Sequence, residues 1–238
     1  MAYESQISFT LDTICPWTYI AKKRLDRALA EHARSASAAK VRFTVRFLPY
    51  QLHPDLPPHN QDRWAWLRDS EFAGSEELIT AAQARLTAAA GRHNDDDDDG
   101  LALGLAGAVA NTLEAHRVLH CVQEERGPAA AGLLVDALFR RYFADGAGPA
   151  DQGVLVAACV EAGMSETEAK ALVVEEDRGG GGRGLAEVRR AVAEQRINGV
   201  DSVPTVLLEG RKRDITLVGA REVGEYSKAI QTIVKESS

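Results

Sequence analysis

A strand-like segment that runs into a cysteine and a proline constrains the fold of this chain more than any other feature. Ile7, Phe9 and Leu11 alternate with polar residues, which is the period of a half-buried strand. Cys15 and Pro16 follow, and the apolar residues after them have helical spacing. Proline is well tolerated at the first position of a helix, because its missing N–H would have no partner there. The sequence therefore predicts a strand, and then Cys15 at the N-terminus of a helix.

This position gives Cys15 a claim to be a catalytic nucleophile. The N-terminus of a helix carries partial positive charge and free amide donors, which favour a thiolate. We therefore expect a lowered pKa for Cys15. Thr18 lies one turn into the helix and can offer its hydroxyl to the sulfur. The alternative is an inert Cys15 in a protein that only binds.

The two ends of the chain predict one α/β unit. Val41 to Phe47 alternates in the same way, and strand, helix and strand form the right-handed unit of a parallel pair. Prolines from Pro49 onwards end this region. Far along the chain, Val203, Pro204 and Thr205 lead into a strand, which a hairpin connects to a further strand and a closing helix.

The region between these ends, 61–195, is predicted to be helical. Leu101 to Asn111 is apolar and rich in glycine, and we expect a buried connection there. Five aspartates, Asp95 to Asp99, lack the spacing of a calcium loop, so a solvated loop is favoured over a calcium site. Arg178 to Gly184 lacks the lysine of a phosphate loop, so we expect a flexible linker.

Composition and charge limit the partners and the compartment. A net charge of −7 argues against nucleic acid, and no apolar run approaches the roughly 20 residues of a membrane span. The three cysteines are widely spaced and odd in number, which fits a reducing compartment, with the cytoplasm as the expected location. Cys121 and Cys159 are expected to pack as small apolar residues. We expect no metal site.

The segment Cys15-Pro16-Trp17-Thr18 resembles the active site of the DsbA-like thioredoxin-fold family, and most of all its FrnE-type branch. That branch is related to kappa-class glutathione transferases and hydroxychromene-carboxylate isomerases. The usual motif is Cys-Pro-Trp-Cys, and Thr18 takes the place of the second cysteine. The resemblance implies an α/β thioredoxin-like fold with a large inserted all-helical domain. The fold would consist of 1–58 and 193–238, and the insertion of 59–192.

The resemblance also implies how the site is built. Val203-Pro204-Thr205 is similar to the cis-proline loop, whose backbone at Val203 would pair with a peptide or with glutathione. Asn111-Thr112 and Ala115-His116-Arg117 resemble an element that faces the cysteine. From the residues alone, a helix cap is favoured for Asn111 and a packed or helix-surface histidine for His116. The predicted catalytic residues are Cys15 and Thr18, and the predicted substrate or glutathione contacts are Pro16, Trp17, Asn111, His116, Asp201, Ser202, Val203 and Pro204.

Three functions follow as alternatives. The first is a thiol oxidoreductase or glutathione-linked transferase that acts on a disulfide or an electrophilic small molecule, with glutathione as co-substrate because one cysteine cannot resolve its own mixed disulfide. The second is a glutathione-dependent isomerase of aromatic or polyketide-type metabolites, and the third is a non-catalytic binding module. Members of the family that the chain resembles are often dimers, so the resemblance implies a homodimer. An apolar pocket is expected in the inserted domain, with the candidate lining Trp64, Trp66, Leu105, Phe139 and Phe143.

Overall fold

A computed structural model describes residues 2–91, 101–174 and 182–237. The aspartate run and most of the glycine-rich segment lie outside the described residues, so the predicted loop and linker stay predictions. The strands are β1 Tyr3–Leu11, β2 Val41–Pro49, β3 Gln61–Asp62, β4 Ala108–Val109, β5 Thr205–Leu208 and β6 Ile215–Val218. The helices are α1 Pro16–Ala33, α2 Arg63–Trp66, α3 Glu76–Ala90, α4 Leu113–Phe143, α5 Gln152–Glu161, α6 Glu166–Val174, α7 Leu185–Ile197 and α8 Val223–Glu236, with a wider helical turn at Leu67–Glu71.

Four strands form the main sheet in the order β2-β1-β5-β6. β1 and β2 are parallel, with Phe9 opposite Phe47, and this confirms the predicted strand–helix–strand unit. β5 runs antiparallel to β1, with Phe9 also opposite Val206, and β6 runs antiparallel to β5. The first and last parts of the chain therefore meet at the centre of one sheet.

β1 is buried on both of its faces, and not on one face as the alternation predicts. Ile7, Phe9 and Leu11 are fully buried, and Thr10 on the opposite face is only 3% exposed. The Thr10 hydroxyl donates to Gln195 Oε1 of α7 at 3.2 Å, so a helix covers that face too. A buried polar residue is tolerated because its hydrogen bond is made. The strand that leads to Cys15 is thus held from both sides.

The segment between β2 and α7 is mainly helical and also contains a short β3–β4 ribbon, in which Gln61 pairs with Val109. α4 is interrupted at Gly127, whose φ of 81° and ψ of −179° lie outside the helical range, and Pro128 follows. The predicted domain boundary at 192/193 falls inside α7, which packs against β2. Helix α7 therefore packs as one of the layers on the sheet.

The buried side chain of Arg63 holds the apolar connection of residues 101–110 in place. Its guanidinium donates to the carbonyl oxygens of Gly104 at 3.1 Å, Ala108 at 3.1 Å and Tyr142 at 2.7 Å. It also lies over the Tyr142 ring, 3.5 Å from the centroid. These contacts join β3–β4 to the end of α4. Within the described ranges, no helix is both long and apolar enough to cross a membrane.

Candidate active site

Cys15 occupies the N-cap of α1, and Pro16 is at the start of the helix, as predicted. The Cys15 N–H donates to the Asp12 carbonyl at 3.1 Å, which closes a tight turn at the end of β1. The Cys15 carbonyl accepts the N–H of Thr18 at 3.1 Å, which begins the helix. The turn and the helix together fix the direction of the thiol.

The proline loop from the far end of the chain lies against this thiol. The Val203–Pro204 peptide bond is cis, as predicted. The Cys15 thiol donates to the carbonyl oxygen of Val203 at a sulfur–oxygen distance of 3.7 Å. Cys15, Tyr50 and Val203 form a small buried cluster, with Val200 packed against it. Within the part of the chain that the structure describes, no hydrogen bond is made by the Val203 N–H.

The predicted lowering of the Cys15 pKa is wrong. Cys15 is only 4% exposed, and this burial raises the pKa of its thiol above the ordinary value. The Thr18 hydroxyl and the amides of Thr18 and Trp17 do lower the pKa, as the helix end predicts, and the Asp12 charge raises it. Burial is the largest of these effects, because a thiolate loses its hydration in an apolar environment. How deeply a side chain is buried cannot be predicted from its position at a helix N-terminus alone.

Thr18 lies next to the sulfur, as predicted. Its side chain is fully buried, and among the described residues its hydroxyl has no hydrogen-bond partner. The interaction of this hydroxyl with Cys15 lowers the pKa of the thiol. A hydroxyl with no competing partner can donate to a thiolate once it forms.

Four of the predicted contact residues are wholly or partly accessible to solvent. Trp17 is 40% exposed and Pro16 is half-buried. Asp201 is exposed and Ser202 is half-buried, and the Ser202 hydroxyl donates to Asp201 Oδ1 at 2.9 Å. These side chains come directly after Cys15 or directly before Val203 in the sequence. Their contact with a ligand stays a prediction.

Asn111 has structural partners instead of a free face. Its Oδ1 accepts from Gln51 Nε2 at 2.8 Å and from the N–H of Leu113 at 2.9 Å, and its Nδ2 donates to the Pro54 carbonyl at 2.7 Å. The bond from the Leu113 N–H satisfies one of the free amides at the start of α4, which agrees with the predicted capping role of Asn111. The N-cap position itself is held by Thr112. Direct contact of Asn111 with a ligand stays a prediction, and the structure supports a role in holding the loop after β2.

His116 is also part of the support. It is 1% exposed, and its Nε2 lies 2.9 Å from the Tyr50 carbonyl oxygen. This bond joins α4 to the segment beside Cys15. His116 is therefore a packed histidine. Its direct contact with a ligand stays a prediction, which its burial does not favour.

Asp12 is a residue of the site that the sequence analysis missed. It is fully buried; its Oδ2 accepts the N–H of Leu52 at 2.8 Å, and its Oδ1 lies 3.4 Å from His116 Nε2. An aspartate between a strand and a helix is typical of an exposed turn. The available signal was its place three residues before Cys15, at the end of a strand that turns out to be buried.

Two of the predicted pocket residues pack into the core, whereas Trp64 is exposed, and the pocket itself stays a prediction. Phe139 and Phe143 stack on Tyr19, with ring centroids 4.9 and 5.8 Å apart, and both are buried. A separate recess of about 10 Å³ lies beside Thr13 and Tyr142, enough for about one water molecule. A larger groove of about 500 Å³ lies between β6 and α8, and no residue of this site lines it. Among the described residues, no group of three metal-ligating side chains comes together.

Comparisons with known proteins agree with this architecture. The chain matches the family model of the DSBA-like thioredoxin domain over residues 6–231. A solved structure described as a probable DsbA oxidoreductase from Streptomyces coelicolor is 26% identical, with a TM-score of 0.76 over 98% of this chain and 91% of that one. No curated protein sequence matches the chain significantly.

Two more distant structures share the fold. The cytosolic disulfide reductase DsbM from Pseudomonas aeruginosa is 17% identical, with a TM-score of 0.57 over 97% of this chain and 95% of that one, and it has also been solved with GSH. A 2-hydroxychromene-2-carboxylate isomerase is 13% identical, with a TM-score of 0.63 over 97% and 96%. The chain belongs to the DSBA-like thioredoxin domain family, whose structural neighbours here are oxidoreductases and an isomerase.

Proposed function

We propose that this protein is a monothiol thiol–disulfide oxidoreductase of the FrnE-type branch, with Cys15 as the nucleophile and glutathione as the co-substrate. The contact of the Cys15 thiol with the Val203 carbonyl, at 3.7 Å, carries this proposal. It places Cys15, at the N-terminus of α1, beside a backbone edge with which an extended ligand can pair. Thr18 at the position of a second cysteine leaves the site without an internal resolving thiol.

The first step is attack of the Cys15 thiolate on a substrate disulfide. A new bond forms between Cys15 Sγ and one sulfur, the substrate S–S bond breaks, and the second sulfur leaves as a thiolate that takes a proton from water. Before this step the Cys15 proton goes to solvent, and the Thr18 hydroxyl stabilises the charge that remains on sulfur. Because burial raises the pKa of Cys15, only a minor fraction of the thiol is ionised and reactive at neutral pH.

The second step needs an external thiol. The thiolate of glutathione attacks the mixed disulfide, forms a disulfide with the substrate sulfur and releases Cys15 as a thiolate. In sum, one glutathione and one disulfide give one thiol and one new mixed disulfide. The DsbM structure solved with GSH shows that a protein of this fold takes this tripeptide. The three free cysteines of this chain fit the reducing cytoplasm that such a reaction requires.

The ligand would lie along the border of Cys15. The N–H of Val203 is available to the cysteinyl part of glutathione, as in the pairing of β-strands. Trp17 offers an exposed aromatic face, and Ser202 offers a hydroxyl. The proposed contact residues are Pro16, Trp17, Asp201, Ser202, Val203 and Pro204.

Turnover of a small disulfide tests the proposal. The substrate is the mixed disulfide of glutathione and 2-hydroxyethanethiol, with reduced glutathione present and oxidised glutathione measured through glutathione reductase. We expect turnover by the wild type, loss to the background rate in Cys15→Ser, and retention in the matched control Cys121→Ser. Cys121 is a buried cysteine whose thiol donates to the Arg183 carbonyl, a bond that serine can also make.

Absence of turnover by the wild type would contradict the proposal. Glutathione-dependent isomerisation of an unsaturated carbonyl compound, retained in Cys15→Ser, would instead assign the chain to the chemistry of its isomerase neighbour. Stoichiometric binding of glutathione without either reaction would favour a binding module. The three results separate the three alternatives.

A further inference from the structure

The loop after β2 carries an aromatic residue that packs beside the thiol. Tyr50 is 8% exposed and forms the small buried cluster with Cys15 and Val203. The N–H of Tyr50 donates to the Leu11 carbonyl at 2.9 Å, and the Tyr50 carbonyl oxygen lies 2.9 Å from Nε2 of His116. Hydrogen bonds on both sides of its backbone therefore fix the place of Tyr50 next to Cys15.

The hydroxyl of Tyr50 is an unused hydrogen-bonding group. Among the described residues it bonds to no other group, and it is not one of the enclosed polar atoms that lack a partner. The ring is therefore buried while its polar end reaches solvent. A tyrosine with one apolar end and one wet end is typical of binding surfaces, because a tyrosine hydroxyl usually finds a partner. This hydroxyl can donate to a ligand that lies beside the thiol.

Arg196, on the last turn of α7, extends to the same tyrosine. Its guanidinium carbon lies 5.9 Å from the Tyr50 ring centroid, within the range of a cation–π interaction, and its Nη2 donates to the Gln51 carbonyl at 3.2 Å. These contacts hold an exposed side chain beside the ring. Within the described ranges, no carboxylate pairs with Arg196, whereas the exposed Arg126 and Arg213 each pair with a glutamate.

The chain between Arg196 and Val203 folds back around this cluster. Gly199 has a φ of 80°, a left-handed conformation that is common at the end of a helix, and Val200 packs against the cluster. Because packed side chains touch within about 4.5 Å, the guanidinium and the thiol, which both contact Tyr50, are on the order of 10 Å apart. The residues on either side of a ligand cysteine, each about 3.5 Å further along an extended chain, are within reach of the guanidinium.

A guanidinium with unused donors in this place fits a carboxylate. Arginine has five N–H donors in a planar fork, and Arg196 uses one of them for Gln51. The fork matches a carboxylate and forms two parallel charge-assisted hydrogen bonds with it. Asp201, an acid on the same segment, accepts the hydroxyl of Ser202 and forms no ion pair with Arg196 in the described chain. The positive charge of Arg196 is therefore available to a ligand.

We propose that Arg196 is a specificity-determining residue that binds a carboxylate of the thiol or disulfide held at Cys15, with the Tyr50 hydroxyl as a second donor to that ligand. The inference rests on the proposed function, because it names the class of its co-substrate. This class is a thiol or disulfide with a carboxylate on the residue next to the sulfur-bearing one, as on both sides of the cysteine in glutathione. Neutral thiols and cationic thiols such as cysteamine lack this group and bind more weakly.

Protection of Cys15 from alkylation tests the inference without any disulfide exchange. S-Methylglutathione, which has no free thiol, is added while iodoacetamide modifies Cys15, and mass spectrometry of the Cys15 peptide gives the concentration that halves the rate. We expect Arg196→Met to raise this concentration about fivefold, the upper end for an exposed ion pair. Tyr50→Phe should raise it about threefold, since one neutral donor is lost. Arg196→Lys keeps the charge without the planar fork and should give an intermediate value.

The matched control is Arg190→Met, which removes an exposed arginine of α7 about 9 Å from Arg196 along the helix axis. It should leave the halving concentration unchanged. Equal protection of the wild type and a folded Arg196→Met protein would overturn the inference. A loss of the same size in Arg190→Met would also overturn it, because the effect would then come from the general charge of the helix.

A comparison of ligands on the wild type needs no variant and identifies the carboxylate. Where the glycine carboxylate is bound, the glycyl ethyl ester of S-methylglutathione should protect about fivefold less well than the acid. Where the γ-glutamyl carboxylate is bound, S-methylcysteinylglycine, which lacks that residue, should show the loss instead. Arg196→Met should abolish the difference in either case. Equal protection by all three compounds, or by none, would overturn the inference.

The protection assay and the turnover assay fail independently. Protection by S-methylglutathione that depends on Arg196, without turnover of the mixed disulfide, would reject the oxidoreductase and leave the carboxylate site in place. Turnover that depends on Cys15, with protection that Arg196→Met does not change, would do the reverse.

Discussion

The thiol of Cys15 and the carbonyl oxygen of Val203 lie 3.7 Å apart, although 188 positions separate them in the sequence. The contact depends on the pairing of β1 with β5, which brings Phe9 opposite Val206. The residues before β5 are thereby carried to the start of α1. The site is therefore a product of the central sheet, and its geometry is lost if that pairing is lost.

Thr18→Val should make Cys15 less reactive. The Thr18 hydroxyl lowers the pKa of the thiol, and valine has the same shape without the hydroxyl. We expect a higher pH midpoint for the alkylation of Cys15 and a rate at neutral pH that is lower by roughly tenfold or more, since a hydrogen bond to a charged group contributes about 1.5–3 kcal/mol. Thr18→Ser keeps the hydroxyl and serves as the control. A rate in Thr18→Val equal to the wild-type rate would show that the hydroxyl does not act on the sulfur.

Thr18→Cys should convert the site to a dithiol. Position 18 lies on the first turn of α1 next to the Cys15 sulfur, so a second thiol there can resolve a mixed disulfide internally. We expect reduction of insulin disulfides by dithiothreitol to be accelerated by the variant and not by the wild type. Thr18→Ser again gives the background. No gain by a folded Thr18→Cys protein would contradict the proposed arrangement of positions 15 and 18.

The protein should lose stability in alkaline solution. Burial raises the pKa of the Cys159 thiol from the ordinary 9.0 to about 11, because the thiol is fully buried in the core. The folded state thus holds this proton more tightly than the unfolded state. The contribution is complete below about pH 9 and is lost as the pH rises towards 11.

Urea denaturation under reducing conditions should show the free energy of unfolding falling by on the order of 1–2 kcal/mol between about pH 8.5 and 10.5. Cys159→Ala should reduce this dependence by about that amount, because its thiol is gone, while Cys15 and Cys121, whose pKa values burial also raises, keep their own contributions. A free energy that stays constant or rises over this range would contradict the assignment.

Arg63→Met should destabilise the protein strongly. The variant removes a buried guanidinium and leaves three carbonyl acceptors without their donor. We expect a loss of about 3 kcal/mol in the free energy of unfolding, since each hydrogen bond to a charged group contributes about 1.5–3 kcal/mol and relaxation recovers part of it. Thermal and urea denaturation measure this loss.

Arg68→Met is the matched control, because Arg68 is exposed and pairs only with its neighbour Asp69 among the bonds described. Its effect should stay within about 0.5 kcal/mol. Equal effects of the two substitutions would show that Arg63 does not have the structural role assigned to it.

Local patterns predicted the framework of the site. The alternation of Ile7, Phe9 and Leu11 indicated β1, and Pro16 marked the helix start. The combination of that cysteine with Val203-Pro204 predicted the loop that meets the thiol. The first two signals lie within a few neighbouring residues, where backbone preference and apolar spacing decide the structure, whereas the proline loop was implied by the resemblance to the family.

The buried polar residues could not be predicted in this way. Arg63 is bonded to carbonyls 45 and 79 positions further along the chain, and a single arginine in a sequence is typical of an exposed site. Asp12 is buried only because α4 and the loop after β2 cover it. The wrong expectation for the pKa of Cys15 has the same origin, since burial is a property of the assembled molecule.

Trapping of the mixed disulfide tests the central claim most directly. The wild type is incubated with oxidised glutathione, quenched with acid, digested and analysed by mass spectrometry. We predict one glutathionyl group on the peptide that contains Cys15, removed again by an excess of reduced glutathione. An unmodified Cys15, or glutathione only on Cys121 or Cys159, would contradict the account.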